Sequence, residues 1–160
     1  MQTLSPEQLL EIARRVAETF DTPERWHKGS WGRDDDGYRL SFDGGFHVED
    51  ENGKRHTPAL RMRPPPDARR CFCLAGAVRI HTGAVAGCDP SSLGDLIEQI
   101  SLVYVNVGNL HRHLQFHDTF EPYLEAVIEW NDQSERAFPE IQSLARAVVD
   151  HLDAARFRTG

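Results

Sequence analysis

Apolar residues return every three or four positions from Leu9 through Ile12 and Val16 to Phe20, which puts them on one stripe of a helix. Ser5-Pro6-Glu7-Gln8 stands ahead of that stripe as an N-cap hydroxyl, a first-turn proline and a glutamine able to reach back, with Leu4 and Leu9 at the staple positions. Asp21-Thr22-Pro23 breaks the pattern. From residue 24 to 70 the helical period is lost among glycines, prolines and charges. Within it Tyr38, Leu40 and Phe42 alternate with polar residues, and Phe46 and Val48 precede Glu51-Asn52-Gly53-Lys54, so a β-hairpin is predicted. Pro64-Pro65-Pro66 reads as a stiff spacer.

Cys71 to Val78 is apolar all round, the pattern of a helix buried on every face, and is read as the central helix with Gly83 as its stop. Ala75, Gly76 and Ala77 carry so little side chain that a neighbouring helix is expected to approach closely there. Asp89-Pro90 reads as the start of the next helix, whose Leu93, Leu96, Ile97, Ile100, Tyr104 and Val107 keep phase as far as Gly108. Leu102 to Val107 also fits a strand, but it shares the phase of the preceding turns and helix is preferred. Asp118 with Glu121 resembles a capping box ahead of Tyr123, Leu124, Val127, Ile128 and Trp130. Ile141, Leu144, Val148 and Leu152 mark the last helix, with Pro139 allowed only in its first turn. The fold class expected is mainly α: one domain over 1–160, a compact bundle of about five helices with an irregular, β-hairpin-like insert over 34–70.

Composition changes this picture little. A chain of 160 residues, 39% hydrophobic and 27% charged, is long enough to bury about 70% of its unfolded surface. The net charge of −7 repels nucleic-acid phosphates and anionic lipid, so neither is an expected partner. Without a run of 18 apolar residues or a basic-then-apolar leader, the chain is expected in the cytoplasm. Cys71, Cys73 and Cys88 are an odd count poorly spaced for a disulfide framework and read as free thiols. Asp34 to Glu51 holds seven acids and one arginine, and Lys54 to Arg70 six basic residues and one acid. The two arms are able to pair, although two solvated charge runs explain them as well.

Four groups of residues are candidates for chemistry. Trp130-Asn131-Asp132 sits at a corner between helices, where Asn131 and Asp132 serve either as caps or as a polarising donor and a general base. Cys73 is a nucleophile only if a basic group reaches it from elsewhere in the fold, and otherwise an inert core thiol. His111, His113 and His117 crowd one stretch; if it is helical, His113 and His117 stand at i,i+4, a weak metal-binding spacing that lacks the glutamate of zinc proteases. A solvated loop is the simpler account. Trp26, Trp31 and Arg33 precede Gly37 beside Asp34-Asp35-Asp36, a triplet without the alternate ligand spacing of calcium loops and read as a solvated turn. The tryptophans are expected against a core or a ligand. No phosphate loop, nucleophile elbow or paired-cysteine zinc motif occurs, and no cofactor or metal is expected.

Trp26-His27-Lys28-Gly29, Arg33-Asp34-Asp35-Asp36-Gly37, Cys71-Phe72-Cys73-Leu74-Ala75-Gly76-Ala77 and Trp130-Asn131-Asp132, in this order over residues 5 to 152, resemble an uncharacterised family of small actinobacterial and phage proteins known only as a domain of unknown function. The resemblance implies an architecture and residues to test but no reaction. A long insert between Gly37 and Cys71 departs from its pattern. Two functions remain open. One is a binding module presenting Trp26, Trp31, Arg33 and Trp130 to a small molecule or protein, which is preferred because every candidate catalytic residue also has a structural use. The other is a hydrolase or transferase with Asp132 as base, Asn131 as donor and His113 or Cys73 assisting.

Overall fold

The computed structural model describes residues 2–115 and 120–159. Five α-helices carry the fold: α1 (Pro6–Thr19), α2 (Leu74–Ala86), α3 (Asp95–Gly108), α4 (Pro122–Asn131) and α5 (Phe138–Thr159). Between α1 and α2 the chain builds a five-stranded antiparallel sheet from β1 (Gly32–Arg33), β2 (Arg39–Ser41), β3 (His47–Glu49), β4 (Arg55–His56) and β5 (Cys71–Phe72), in the order β4-β3-β2-β1-β5. One-turn 3-10 helices stand at Pro23–Arg25 and His111–His113.

The first helix forms as its sequence dictates. Ser5 Oγ accepts from Gln8 N at 3.1 Å while Gln8 Oε1 accepts from Ser5 N at 2.9 Å, closing the capping box. Ile12, Val16 and Phe20 are fully buried, each such side chain contributing about 1.5–3 kcal/mol. They seat α1 against α2 and α5.

Four local expectations need correction. The apolar octapeptide is not one helix: Cys71 and Phe72 pair with Arg33 and Gly32 as β5, Cys73 is the N-cap, and α2 begins at Leu74. All-round burial does not distinguish a central strand from a core helix, and here both occur in succession. Gly83 does not stop α2, because its bare face lets Cys88 and Pro90 fold back against it; the stop is Gly87, at φ 72°. Asp89-Pro90 does not open α3. Asp89 instead accepts from Ser91 N at 2.7 Å in a turn, and the helix starts at Asp95 after Gly94. Asp118 lies outside the described residues, and Glu121, at the N-cap position of α4, makes no side-chain cap. Glu98 of α3 caps α4 from outside, its two oxygens accepting from Tyr123 N and Leu124 N at 3.0 and 2.9 Å. Such a cap between helices leaves no local sequence signature.

The hairpin turn forms at the predicted place but with three residues, Glu51 to Gly53, between bonded Asp50 and Lys54 where a two-residue turn is expected, and Gly53 takes φ 77°. The predicted helical phase holds from Leu96 to Val107, Leu93 being buried in the turn ahead of the helix, and Pro139 stands in the first turn of α5. The insert is more ordered than expected, because strands flanking it, β1 and β5, complete its sheet.

Where α1 meets α2, Thr19 donates its hydroxyl to Arg15 O at 2.8 Å, so its oxygen is left to accept from His81 Nε2 at 2.7 Å. Burial of the His81 imidazole, with Arg15 and Arg70 nearby, pushes its pKa down to about 4. A histidine held neutral in the fold titrates first in the unfolded chain. Its contribution to stability is therefore complete above the ordinary value near 6.5 and is lost as pH falls from there toward about 4. In thermal melts over that window, His81→Gln is expected to flatten the acid-side fall in Tm relative to the parent; parallel curves would reject this coupling.

Candidate functional site

Three separated stretches meet at the end of α4, and Asn131 joins them. Its side chain is fully buried. Oδ1 accepts from Trp26 Nε1 at 2.8 Å and from Leu74 N at 3.0 Å, while Nδ2 donates to His27 O at 3.1 Å and to Asp132 Oδ1 at 2.9 Å. One amide thereby uses both lone pairs and both hydrogens. It fixes the Trp26 loop, the start of α2 and the end of α4 relative to one another. Asp132 is exposed and its Oδ1 also accepts from Gly29 N at 3.1 Å, so it holds the same loop from the solvent side rather than facing a pocket.

Cys73 is part of this corner. Its thiol is buried, accepts from Gly76 N at 3.1 Å as the N-cap of α2, and is pushed up to about 12 chiefly by burial. At neutral pH it is a protonated thiol with a structural contact. Beside it, His27 reaches Ser30 Oγ at 2.7 Å. Burial and then Arg33 lower its pKa, against a rise caused by Asp132. Arg33 is exposed and donates to Gly37 O at 2.9 Å.

The remaining candidates do not join Asn131 and Cys73 in one hydrogen-bonded set. His113 is buried; Arg112 Nε donates to its Nε2 at 3.2 Å, which leaves the ring proton on Nδ1 facing Glu129 Oε1 at 3.3 Å. Both ring nitrogens are therefore occupied. His111 is exposed and lies against Asn106 and Asn109. His117, the other half of the suggested metal pair, lies outside the described residues. His113 sits in a 3-10 turn rather than an α-helix, and no group of three metal-ligating side chains is gathered among the described residues.

All three tryptophans touch the core, Trp130 from within it and half-buried Trp26 and Trp31 from its edge. Trp130 is buried beneath the Arg136 guanidinium at 4.2 Å, and Trp26 lies under Lys28 Nζ at 5.2 Å. Trp31 meets Phe42 edge-on at 5.1 Å, and Arg79 stands over both rings at 5.1 and 4.9 Å. Buried Arg79 also reaches Glu121 Oε2 at 2.8 Å and Pro90 O at 3.2 Å. Its position inside an otherwise apolar helical run is visible in the sequence, but its partners are remote.

The acidic triplet is not a solvated turn. Asp34 and Asp35 are buried, and only Asp36 is exposed. Asp34 accepts from Asp36 N, Tyr38 N and Ala59 N at 2.9–3.0 Å. Asp35 accepts from Arg61 N at 3.0 Å and takes the Arg70 fork at 2.6 and 3.1 Å. The two charged arms do pair here, and they draw the 59–70 limb back against the start of the insert.

That closure shapes a surface cleft of about 440 Å³ lined by Thr22, Glu24, Arg25, Pro66, Ala68, Arg69 and Arg70. Each guanidinium is anchored. Arg25 Nη1 donates to Ala68 O and Arg70 O, both at 3.1 Å; Arg69 donates to Asp36 O across bare Gly37; and Arg70 is held by Asp35 and Arg61 O. Sequence reasoning did not single out these three arginines. The basic run from Lys54 to Arg70 was the available signal, but Arg25 enters from the other side of the sheet-forming segment. A second depression of about 300 Å³, between the amino terminus and α2–α3, is lined by Gln2, Thr3, Leu4, Gln8, Ala86 and Leu96. No tryptophan lines either one.

Among the described residues, five helices and an antiparallel sheet share one core, and Asn131 ties the Trp26 loop to the start of α2 and the end of α4, which defines a helical domain with a sheet-bearing lobe. The chain belongs to DUF6197, a family of unknown function whose model matches residues 1–155. Neither a curated protein nor a solved structure matches it. No described helix is long and apolar enough to cross a membrane.

Proposed function

We propose that this protein is a binding module for a small molecule, seated in the cleft between Pro23–Arg25 and the return limb of the insert. The observation that carries the reading is the cleft itself. About 440 Å³ of open space falls within the usual range for small-ligand sites. Its three arginines are held by hydrogen bonds to Ala68 O, Arg70 O, Asp36 O and buried Asp35 rather than being free side chains. The residues considered for catalysis already have structural partners: Asn131 spends all four hydrogen-bonding positions on the fold, and Cys73 caps a helix. Trp26, Trp31 and Trp130 support the loop and helices that hold the cleft in place and are not its walls. Asp132 and Arg33, both exposed, belong to the neighbouring corner.

Blocking the cleft tests the reading. Ala68→Trp places a large ring in the space while leaving each anchoring bond to the Ala68 carbonyl available. Thermal melts with adenosine, adenosine monophosphate, glucose and glucose 6-phosphate are expected to show a rise of about 3 °C or more for at least one probe with the parent. The blocked variant is expected to show none. A parent indifferent to all four, or a blocked variant stabilised equally, would remove the cleft as the site.

A further inference from the structure

Resting on the cleft reading, we infer that the ligand presents an oxyanion, a phosphoryl or carboxylate group, to Arg25 and Arg69. The charge balance is the first argument. Three guanidiniums and one carboxylate, Glu24, line the opening in a chain whose net charge is −7. Arg70 is neutralised by Asp35. Among the described residues, neither Arg25 nor Arg69 has a carboxylate within 4.0 Å. With three guanidiniums to one carboxylate, the opening favours an anionic occupant over a neutral or cationic one.

Geometry is the second argument. Both heads are held by main-chain carbonyls through one terminal nitrogen, Arg25 through Nη1 and Arg69 through Nη2. Each guanidinium has five N–H donors, so each keeps donors free among the described residues. None of these free nitrogens is a buried, unpartnered atom. They are open to solvent, already oriented, and match the paired acceptors of a phosphate or carboxylate. Fixing the heads in advance lowers the ordering cost of binding. Pro65 and Pro66 stiffen the limb, and Ala68 N bonded to Pro65 O closes a tight turn beneath Arg69. The charge of Arg25 is also felt at half-buried Cys71, where after Arg33 it opposes the rise that burial imposes on the thiol.

The test uses matched pairs that differ only in the charged group. By calorimetry at low salt, glucose 6-phosphate is expected to bind at least roughly tenfold more tightly than glucose, and adenosine monophosphate than adenosine. Arg69→Gln, at an exposed position, is expected to keep the parental melting temperature and to lose roughly tenfold in affinity for the phosphorylated probes. Arg25→Lys, which retains charge but not the fork, is expected to weaken them as well. Raising the salt concentration should weaken phosphorylated probes only. If the neutral member of each pair binds as tightly as its phosphorylated partner, the oxyanion inference is overturned and the cleft reading stands. If no member binds, both fall. If the phosphorylated probes bind the parent and Arg69→Gln alike, the assignment to this arginine pair is overturned.

Discussion

Asn131→Ala is expected to lower unfolding stability by about 3–5 kcal/mol, the range in which several buried partners are stranded at once. The substitution removes the acceptor of Trp26 Nε1 and Leu74 N and the donor to His27 O. At a fully buried position, water does not readily replace them. Urea titration is the direct measure, with the midpoint falling while the slope stays constant. A loss below about 1 kcal/mol would mean that the amide is a replaceable cap and not the junction of three segments. Asp132→Ala is the control. It removes bonds to Gly29 N and Asn131 Nδ2 at an exposed site, where the expected loss is about 1 kcal/mol or less.

The second large effect has an unusual sign. Glycine inside a helix ordinarily gains about 1 kcal/mol on replacement by alanine. Gly76 lies one turn into α2, and a Cβ built there would stand 2.2 Å from Trp31 O and 3.1 Å from its carbonyl carbon. The obstacle is main chain, fixed by Cys73 N donating to the same Trp31 oxygen at 3.1 Å. Gly76→Ala is therefore expected to destabilise by about 2–3 kcal/mol despite the better propensity. An alanine variant as stable as the parent in the same titration would show that the loop yields at no cost. Among the small residues of Ala75-Gly76-Ala77, Gly76 does mark a close approach, as the sequence suggests, and what approaches it is a loop carbonyl.

Periodic and local signals were legible in the sequence. The capping box at Ser5, the phase of Leu96 to Val107, the Asn52-Gly53 turn and the first-turn proline of α5 all depend on residues within a few positions of one another. What was hidden depends on contacts across the chain. Glu98 capping α4, Asp35 gripping Arg70, and Asn131 reaching back to Trp26 over 105 positions have no neighbour in sequence that announces them. The motif residues Trp26, Cys73, Asn131 and Asp132 carry the resemblance as separate stretches of sequence, and the fold brings them to one corner. Their meeting explains a shared fold, whereas the cleft is built from Arg25, Arg69 and Arg70, which had the appearance of ordinary surface charge. The octapeptide from Cys71 was divided by something no hydropathy pattern contains: a strand partner, Gly32-Arg33, supplied from outside the segment.

The register of β1 against β5 has a consequence for how such a protein can vary. Arg33 and Cys71 are ladder partners, so the chain leaves and re-enters the helical scaffold at adjacent points, as if through a zipped neck. Everything between is a lobe whose length can change at small entropic cost, since closing a loop depends only weakly on how many residues it holds. A version with a mere tie across the neck would still lock Trp26, Leu74 and Asn131 together, yet it would lack Arg69, Arg70 and one whole bank of the cleft. Scaffold and lobe are thus joined at the two ladder pairs of the neck and through Leu40 and Val48, which the lobe lends to the common core.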